Sequence, residues 1–395
     1  MPLIVVRVVV LAAVSVLFLY LFYHEANGDF YSDIPGHIRF AMSEDQSSYS
    51  LMYPLFVFSY NAGGALGVGI MLTIFEVATI VVSERFLREL CPNTRREDVF
   101  VLALALNFAI AIHLPFLHSK YMIGLSAGNS WHNGTFLGMK LMSLCAIWTY
   151  LRFVGFLKSD HPKVDYLLFV LFVVLSATMK PSFVVAFGPA MVVICVMDLI
   201  QDRSTLKRSL LISIPFFIVL AVLAYQYMVL YVEDTSSGIE FGIARVWRHT
   251  HFFFPIAMLQ SWAFPILVYV FCRKYQEADR NVRLTMIMFF ISLAIFLFVN
   301  ESGLRKYHGN FGWSMKFAVY YLFMTCIAVY CNTRGKRLKL LCAQAADVEE
   351  TGSGDGSAEL VKGKGPDVAI LLVLAWHVAS GIGNILNILN GNGYG

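Results

Sequence analysis

Long apolar runs recur along the whole chain, and short polar segments separate them. Runs of about 18 residues or more with few charges are long enough to cross a membrane as helices. The pattern therefore predicts an all-α polytopic membrane protein with about eleven transmembrane helices. The predicted spans cover residues 4–23, 62–83, 99–117, 136–157, 164–179, 182–200, 209–231, 252–272, 284–300, 314–331 and 367–388.

The polar segments between the predicted spans differ in length. The first outer loop, about residues 24–61, contains the aromatic run YSLMYPLFVFSY. This run predicts an amphipathic helix at the membrane interface, because Tyr and Phe favour that depth. MKPS alone, residues 179–182, joins the fifth and sixth spans. A turn this tight at the membrane boundary is tolerated only where protein or a wet cavity surrounds its backbone.

The C-terminal part of the chain differs from the rest. Residues 343–367 are rich in Gly, Ser and charged side chains, a composition typical of disordered segments. We therefore predict three parts: a transmembrane functional body over residues 1–335, a disordered cytoplasmic linker over 336–366, and an accessory transmembrane helix over 367–395.

Composition and charge support the membrane prediction and orient it. Charged residues make up 14% of the 395 residues and hydrophobic ones 58%, whereas about a quarter of a typical soluble domain is charged. Of the 30 Lys and Arg residues, 21 fall on one side of the predicted spans and 8 on the other, and Lys140 lies within the fourth span. Because Lys and Arg favour the cytoplasmic side, we predict a cytoplasmic N-terminus and a first loop that faces outward. The first span has no small-residue cleavage site, which predicts a retained signal anchor.

Four of the segments assigned to the outer face share one composition: the first (about residues 24–61), the second (117–136), the fourth (231–251) and the fifth (300–313). Seven of the ten histidines lie there, and most of the basic residues lie beside an aromatic residue or a histidine. Arg and Lys bind phosphate oxygens, and aromatic faces stack on the C–H surface of sugar rings. A single outward His or Arg is usually only a solvated loop residue. The recurrence over four loops is what predicts a site for a ligand that carries phosphate and sugar.

The segment FYSDIPGHIRFA, residues 30–41, follows the first span directly. A carboxylate at the membrane boundary can take the proton of an attacking hydroxyl, so Asp33 is a candidate general base; the alternatives are a helix cap or a solvated loop acid. His37 lies four residues later, on the same face of a short helix, and would act together with Asp33. A divalent cation, Mg²⁺ or Mn²⁺, is a further alternative, with ligands from Asp33, His37, Glu44 and Asp45.

Glu76 lies inside the second predicted span. A charge within a membrane span is costly, and it suggests either a functional group or a paired structural one. Its predicted depth is nearer the cytoplasmic half, which separates it from the outer cluster. Gly63 and Gly67 in the same run have the small-xxx-small spacing of close helix packing.

The overall pattern resembles a known superfamily. A short cytoplasmic N-terminus, one span, a first outer loop with an early acid and about ten more spans resemble the GT-C integral-membrane glycosyltransferases, which use polyprenyl-phosphate sugars as donors. SDIPGHI, SWHNGT, MKPSF and YHGNFGW are also similar to bacterial membrane proteins of surface-polysaccharide loci. The chain has neither a D-x-D pair nor a large soluble outer domain, so the resemblance does not imply metal dependence.

The resemblance implies a GT-C-like fold and transfer of a sugar from a polyprenyl phosphate to a glycan or lipid acceptor. It implies that Asp33 is the catalytic base, and that the protein acts at the outer face of a membrane, which we expect to be a bacterial plasma membrane. We expect no nucleic acid partner. The residues predicted to bind the donor phosphate are Lys180, Arg305, Lys306 and His308. Those predicted to border the sugar or acceptor are Trp131, His132, Trp313, Glu240, Arg245 and Arg248.

Three other functions remain open at the level of sequence. A polysaccharide polymerase or ligase would depend on Arg245 and Arg248 more than on Asp33. A flippase for a lipid-linked glycan would need polar residues across several spans, and only Glu76, His113, Lys140 and His377 are found there. A non-catalytic subunit of a membrane assembly is the third.

Overall fold

The computed structural model describes residues 3–43, 49–121, 127–233, 238–250, 253–273, 279–351 and 356–393. In this part of the chain the regular structure is almost entirely helical, with two strands of three residues each. The helices are α1 (Leu3–Asn27), α2 (Ile34–Met42), α3 (Met52–Leu90), α4 (Arg96–Phe108), α5 (Gly134–Phe153), α6 (Pro162–Met179), α7 (Ser182–Gln201), α8 (Leu206–Tyr227), α9 (Arg245–Thr250), α10 (Phe254–Cys272), α11 (Arg280–Phe298), α12 (Gly312–Thr351) and α13 (Gly356–Leu389).

Nine helices among the described residues are long and apolar enough to cross a membrane. They are α1, α3, α6, α7, α8, α10, α11, α12 and α13, and each coincides with a predicted span. The chain is therefore an all-α polytopic membrane protein. The two remaining predicted spans correspond to α4 and α5, which are not among the nine.

The predicted span over 99–117 is helical only as far as Phe108. The 13 residues of α4 rise about 20 Å, less than the roughly 30 Å of a hydrocarbon core. Residues 109–112 follow α4 as buried irregular backbone, and neighbouring elements bond to its polar groups: Ile112 N donates to the Gln260 carbonyl oxygen at 2.7 Å. The first part of this predicted span is thus a helix, and its second part is irregular backbone.

The helix α5 lies at the centre of the molecule. Of its 20 residues 16 are buried, and it packs mainly against α3 and α6. A helix that protein surrounds on most sides tolerates polar residues such as Lys140, which explains why it is less apolar than the nine candidate spans. The exact number of spans and their orientation stay predictions.

The helix α3 folds back on itself near its start. Gly64 has φ +59° and Gly63 is also outside the helical region. A Cβ at Gly67 would lie 2.0 Å from the Ser59 carbonyl oxygen, whereas residues eight apart in a straight helix are about 12 Å apart. The aromatic run of the first loop is thus helical from Met52 onward, and the sharp bend separates it from the long part of α3.

The last helix packs directly against the rest of the molecule. His377 Nδ1 lies 2.6 Å from the Ile110 carbonyl oxygen, and the Gly381 Cα rests against the backbone of Phe108. The bounds of α12 and α13 are those given above. The division into body, linker and accessory helix stays a prediction.

The two strands, β1 (Ile239–Phe241) and β2 (Val299–Glu301), form a small antiparallel pair. Glu240 lies opposite Asn300, and the Asn300 amide donates to the Gly242 carbonyl oxygen at 2.8 Å. This pair connects the segment before α9 to the segment after α11. It places Glu301 beside a cavity.

Candidate functional site

A cavity of approximately 760 Å³ opens where segments from distant parts of the chain meet. Its wall is built from the start of α2, the start of α3, the loop before α5, the turn between α6 and α7, the end of the α8 segment and the loop before α12. Seven residues predicted as site residues line it: Asp33, His37, His132, Lys180, Arg305, His308 and Trp313. Arg39 lines it as well.

Asn133 connects the two sides of this wall. It is the N-cap of α5, and its Oδ1 accepts from Phe136 N at 3.0 Å. The same oxygen accepts from Lys180 Nζ at 3.4 Å. Its Nδ2 donates to Asp33 Oδ2 at 3.0 Å and lies 3.3 Å from His37 Nε2. One amide side chain thus joins the carboxylate, the imidazole and the ammonium group.

The first and second outer segments are joined through their backbones. The His132 carbonyl oxygen accepts from Asp33 N at 3.1 Å and from Ser32 Oγ at 3.0 Å. Asp33 occupies the N-cap position of α2, but its side chain makes no capping hydrogen bond. The Asp33 side chain is 47% exposed, and its Oδ2 is 3.9 Å from His132 Nε2. The carboxylate is therefore available to a molecule in the cavity.

Both imidazoles near Asp33 are neutral at neutral pH. Burial lowers the pKa of His37 to about 4, with a further lowering by the Lys180 charge that Asp33 partly opposes. Burial also lowers the pKa of His132 to about 4, and the charges of Lys316 and Lys180 act in the same direction. Burial lowers the pKa of Lys180 to about 8, against the opposing effect of Asp33 and Glu301. At pH 7 the wall thus presents neutral imidazoles beside a mostly protonated lysine.

Trp313 lies between two lysines. Lys180 Nζ is 4.5 Å and Lys316 Nζ 5.0 Å from the centroid of its ring, distances that favour a cation–π attraction. The His132 ring centroid is 5.8 Å from the same ring. This arrangement concentrates positive charge at one part of the wall.

A second carboxylate lines the cavity. Glu301, at the end of β2, is only 3% exposed. Its Oε1 accepts from the Tyr231 hydroxyl at 3.0 Å and its Oε2 from the Asn310 amide at 2.8 Å. Tyr49 lines the same wall, and burial raises the pKa of its phenol. Glu301 and Asn133 were not predicted as site residues. The signals for them in the sequence are an acid directly after an apolar run and an Asn directly before one.

Five predicted site residues lie outside the cavity wall: Lys306, Trp131, Glu240, Arg245 and Arg248. Trp131 is fully buried, with its Nε1 3.4 Å from Glu76 Oε1. Arg245 forms an ion pair with Glu240. Lys306 and Arg248 are exposed. The cavity therefore brings together the residues of the first, second and fifth outer segments but not the charges of the fourth.

The proposed metal ligands are only partly described. Glu44 and Asp45 lie outside the described residues. Over the residues that are described, no group of three or more His, Cys, Asp or Glu side chains has a geometry that could hold a metal ion. Asp33 and His37 by themselves are too few ligands for a metal ion.

No known protein family matches the chain, and no curated protein and no solved structure is significantly similar to it.

Proposed function

We propose that the protein is an integral-membrane glycosyltransferase of the GT-C type. It would transfer a sugar from a polyprenyl phosphate to a hydroxyl group of a glycan or lipid acceptor. The observation that carries the proposal is the cavity in which Asp33 faces Lys180 across the Asn133 amide. A base beside a cluster of cations is what this reaction requires, because a proton is removed as negative charge develops on phosphate.

Asp33 is the base in the proposed mechanism. Its carboxylate takes the proton of the acceptor hydroxyl as the hydroxyl oxygen bonds to the anomeric carbon of the donor sugar. The bond between that carbon and the phosphate oxygen breaks, and the electron pair leaves with the polyprenyl phosphate. The Asn133 amide donates to one Asp33 oxygen and orients the carboxylate. His132, neutral and 3.9 Å away, adds no competing positive charge at pH 7.

The cations of the wall bind the phosphate in this proposal. Lys180 and Arg305 line the cavity with Arg39, and preorganised positive groups stabilise the charge of a departing phosphate. Trp313 lines the cavity, with the Lys180 ammonium group over its ring, and borders the sugar in this proposal. Glu301, with the Tyr231 hydroxyl and the Asn310 amide, supplies hydrogen-bonding groups for sugar hydroxyls.

The topology in this proposal is that predicted from sequence: eleven spans, a cytoplasmic N-terminus and a cavity that faces outward in a bacterial plasma membrane. The 21 to 8 distribution of Lys and Arg supports the orientation. The alternative of a polymerase or ligase depends on Arg245 and Arg248, which lie outside the cavity wall. Their position favours the transferase.

Asp33→Asn tests the proposal. With purified protein and a radiolabelled polyprenyl-phosphate sugar, we expect transfer to fall by about 10²–10⁴-fold, because the amide cannot accept the proton. Asp29→Asn is the matched control: Asp29 lies in the same loop, bonds to His24 at 2.6 Å and lies outside the cavity wall, so its variant retains transfer. Full activity in Asp33→Asn would exclude Asp33 as the base.

A further inference from the structure

A fully buried ion pair joins α3 and α5 outside the cavity wall. Glu76 of α3 and Lys140 of α5 are both 0% exposed. Lys140 Nζ donates to Glu76 Oε2 at 2.8 Å and to Oε1 at 3.1 Å. Neither residue lines the cavity. Burying two charges has a large desolvation cost. The residues that the pair contacts therefore indicate its role.

The ion pair is bonded to the segment that leads into α5. Lys140 Nζ donates to Asn129 Oδ1 at 3.2 Å, and Trp131 Nε1 lies 3.4 Å from Glu76 Oε1. The Asn129 amide in turn donates to the carbonyl oxygens of Leu106 and Ala109, both at 2.8 Å. Asn129 thereby also satisfies the buried backbone at the end of α4.

Residues 127–133 belong to no helix or strand. Their conformation therefore depends on these side-chain bonds more than on a regular backbone ladder. Gly128 fits this position because its Cα approaches the backbone of Tyr320, where a Cβ would lie 3.0 Å from the Tyr320 Cα. The ion pair and the backbone of α12 therefore both hold this segment in place.

The other end of this segment is part of the site. His132, one residue after Trp131, accepts through its carbonyl oxygen from Asp33 N at 3.1 Å. Asn133 follows and bonds to the Asp33 carboxylate at 3.0 Å. A shift of Trp131 would move His132 and Asn133 with it, because consecutive Cα atoms are held about 3.8 Å apart.

We propose that Glu76 and Lys140 are positioning residues, and that the pair fixes residues 129–133 so that His132 and Asn133 hold Asp33 in place. The structural part of this inference stands without the proposed reaction. Its effect on turnover rests on the proposed function.

Three variants and one control test the inference on the full-length protein. Lys140→Met leaves a buried Glu76 without its partner, and Glu76→Met does the reverse. The double variant Glu76→Met/Lys140→Met removes both charges. Thr325→Val is the control: Thr325 is buried and bonds to Asn281 and Thr285, in a polar cluster on α11 and α12 that makes no hydrogen bond to residues 129–133.

The readouts are the melting temperature and hydrogen–deuterium exchange of peptides that cover residues 29–40 and 127–136. We expect the double variant to melt above Lys140→Met, because no buried charge is left unpaired. Exchange of the Asp33 and 129–133 amides should nevertheless remain about tenfold faster than in wild type in all three variants. Where transfer is measurable, kcat should fall about tenfold or more with KM for the donor little changed.

A purely structural role predicts a different result. Exchange in the two peptides would then recover together with the melting temperature in the double variant, or would rise as much in Thr325→Val; either outcome overturns the inference. Absence of transfer in the wild-type protein would count against the proposed function, while the exchange results would still decide the role of the ion pair.

Discussion

Asn133 shows how much one neutral side chain can organise. It caps α5, accepts from Lys180 and donates to Asp33, so a helix start and a reactive carboxylate depend on the same amide. An amide can do this because it carries both a donor and an acceptor group, whereas a carboxylate carries only acceptors. The capping function and the site function can therefore be separated by substitution.

Asn133→Asp and Asn133→Ala form a matched pair. Asp is as good an N-cap as Asn, so we expect Asn133→Asp to keep the start of α5, although repulsion between its carboxylate and that of Asp33 should lower the melting temperature. Its second oxygen would face Asp33 without a donor, and transfer should fall at least about tenfold. Asn133→Ala should lose transfer and also about 1 kcal/mol of stability. Normal transfer in Asn133→Asp would show that the amide does not orient Asp33.

The half-buried His37 and His132 predict a dependence of stability on pH. The pKa values of His37 and His132 are about 4 in the folded protein, below the ordinary value of 6.5. Between those values the unfolded chain binds more protons, so the free energy of unfolding falls as the pH drops from 6.5 to 4. The melting temperature should thus fall on acidification from pH 7 to pH 4.5.

His37→Gln/His132→Gln should reduce this fall, because Gln does not titrate. His161→Gln is the control, since His161 is exposed before α6 and outside the cavity wall. An equal fall in wild type and in the double variant would mean that other groups cause the acid sensitivity.

At the scale of elements, close backbone contacts decide where helices sit. The bend of α3 brings Ser59 against Gly67, and α13 approaches α4 at Gly381. In both places a Cβ would meet a carbonyl oxygen of the neighbouring backbone, at 2.0 Å and 1.7 Å. In the sequence, small residues indicate such close packing, but they do not indicate which helix packs against them.

Two glycines of α13 test this packing. Gly381→Ala places a methyl group against the Phe108 carbonyl oxygen, so we expect a loss of about 1–3 kcal/mol and a lower melting temperature. Gly365→Ala has no neighbouring atom within 4 Å and should leave stability unchanged or slightly raise it, because Ala favours a helix. Equal melting temperatures would show that α13 does not dock on α4 as described.

At the scale of the whole molecule, the orientation of the cavity is testable without any substrate. Tyr31 is 76% exposed at the cavity mouth, and Lys158 is exposed between α5 and α6. In a cysteine-free background, Tyr31→Cys should react with an impermeant maleimide in intact cells. Lys158→Cys should react only after permeabilisation. The opposite pattern would invert the topology and place the cavity on the cytoplasmic side.

The predicted and observed structures agree where the cause is local. Nine of the eleven apolar runs are helices suited to a membrane, because the free energy of burying an apolar run in lipid depends on its own residues. In the run over 99–117 the helix ends at Phe108, and the buried residues that follow bond to α10 and α13: Ile112 N donates to the Gln260 carbonyl oxygen and Ile110 N to that of His377. An apolar run predicts that its residues are buried, but it does not predict whether lipid or protein surrounds them.

The candidate site was predicted in part for a related reason. Asp33 and His37 share one segment, and Lys180 stands at a conspicuous turn, so the sequence indicated them. The roles of Glu301 and of the Glu76–Lys140 pair could not be predicted, because their bonding partners lie up to 70 residues away in the chain.

The sequence by itself determined that this chain is a helical membrane protein with a polar, cationic and aromatic set of loops. That follows from hydropathy and charge, which act residue by residue along the chain. Only the tertiary structure decided which loops share one cavity, which charges neutralise each other, and that a buried ion pair holds the segment before α5. These features depend on where the ends of the packed helices lie. Helix packing is set by contacts between residues far apart in the chain.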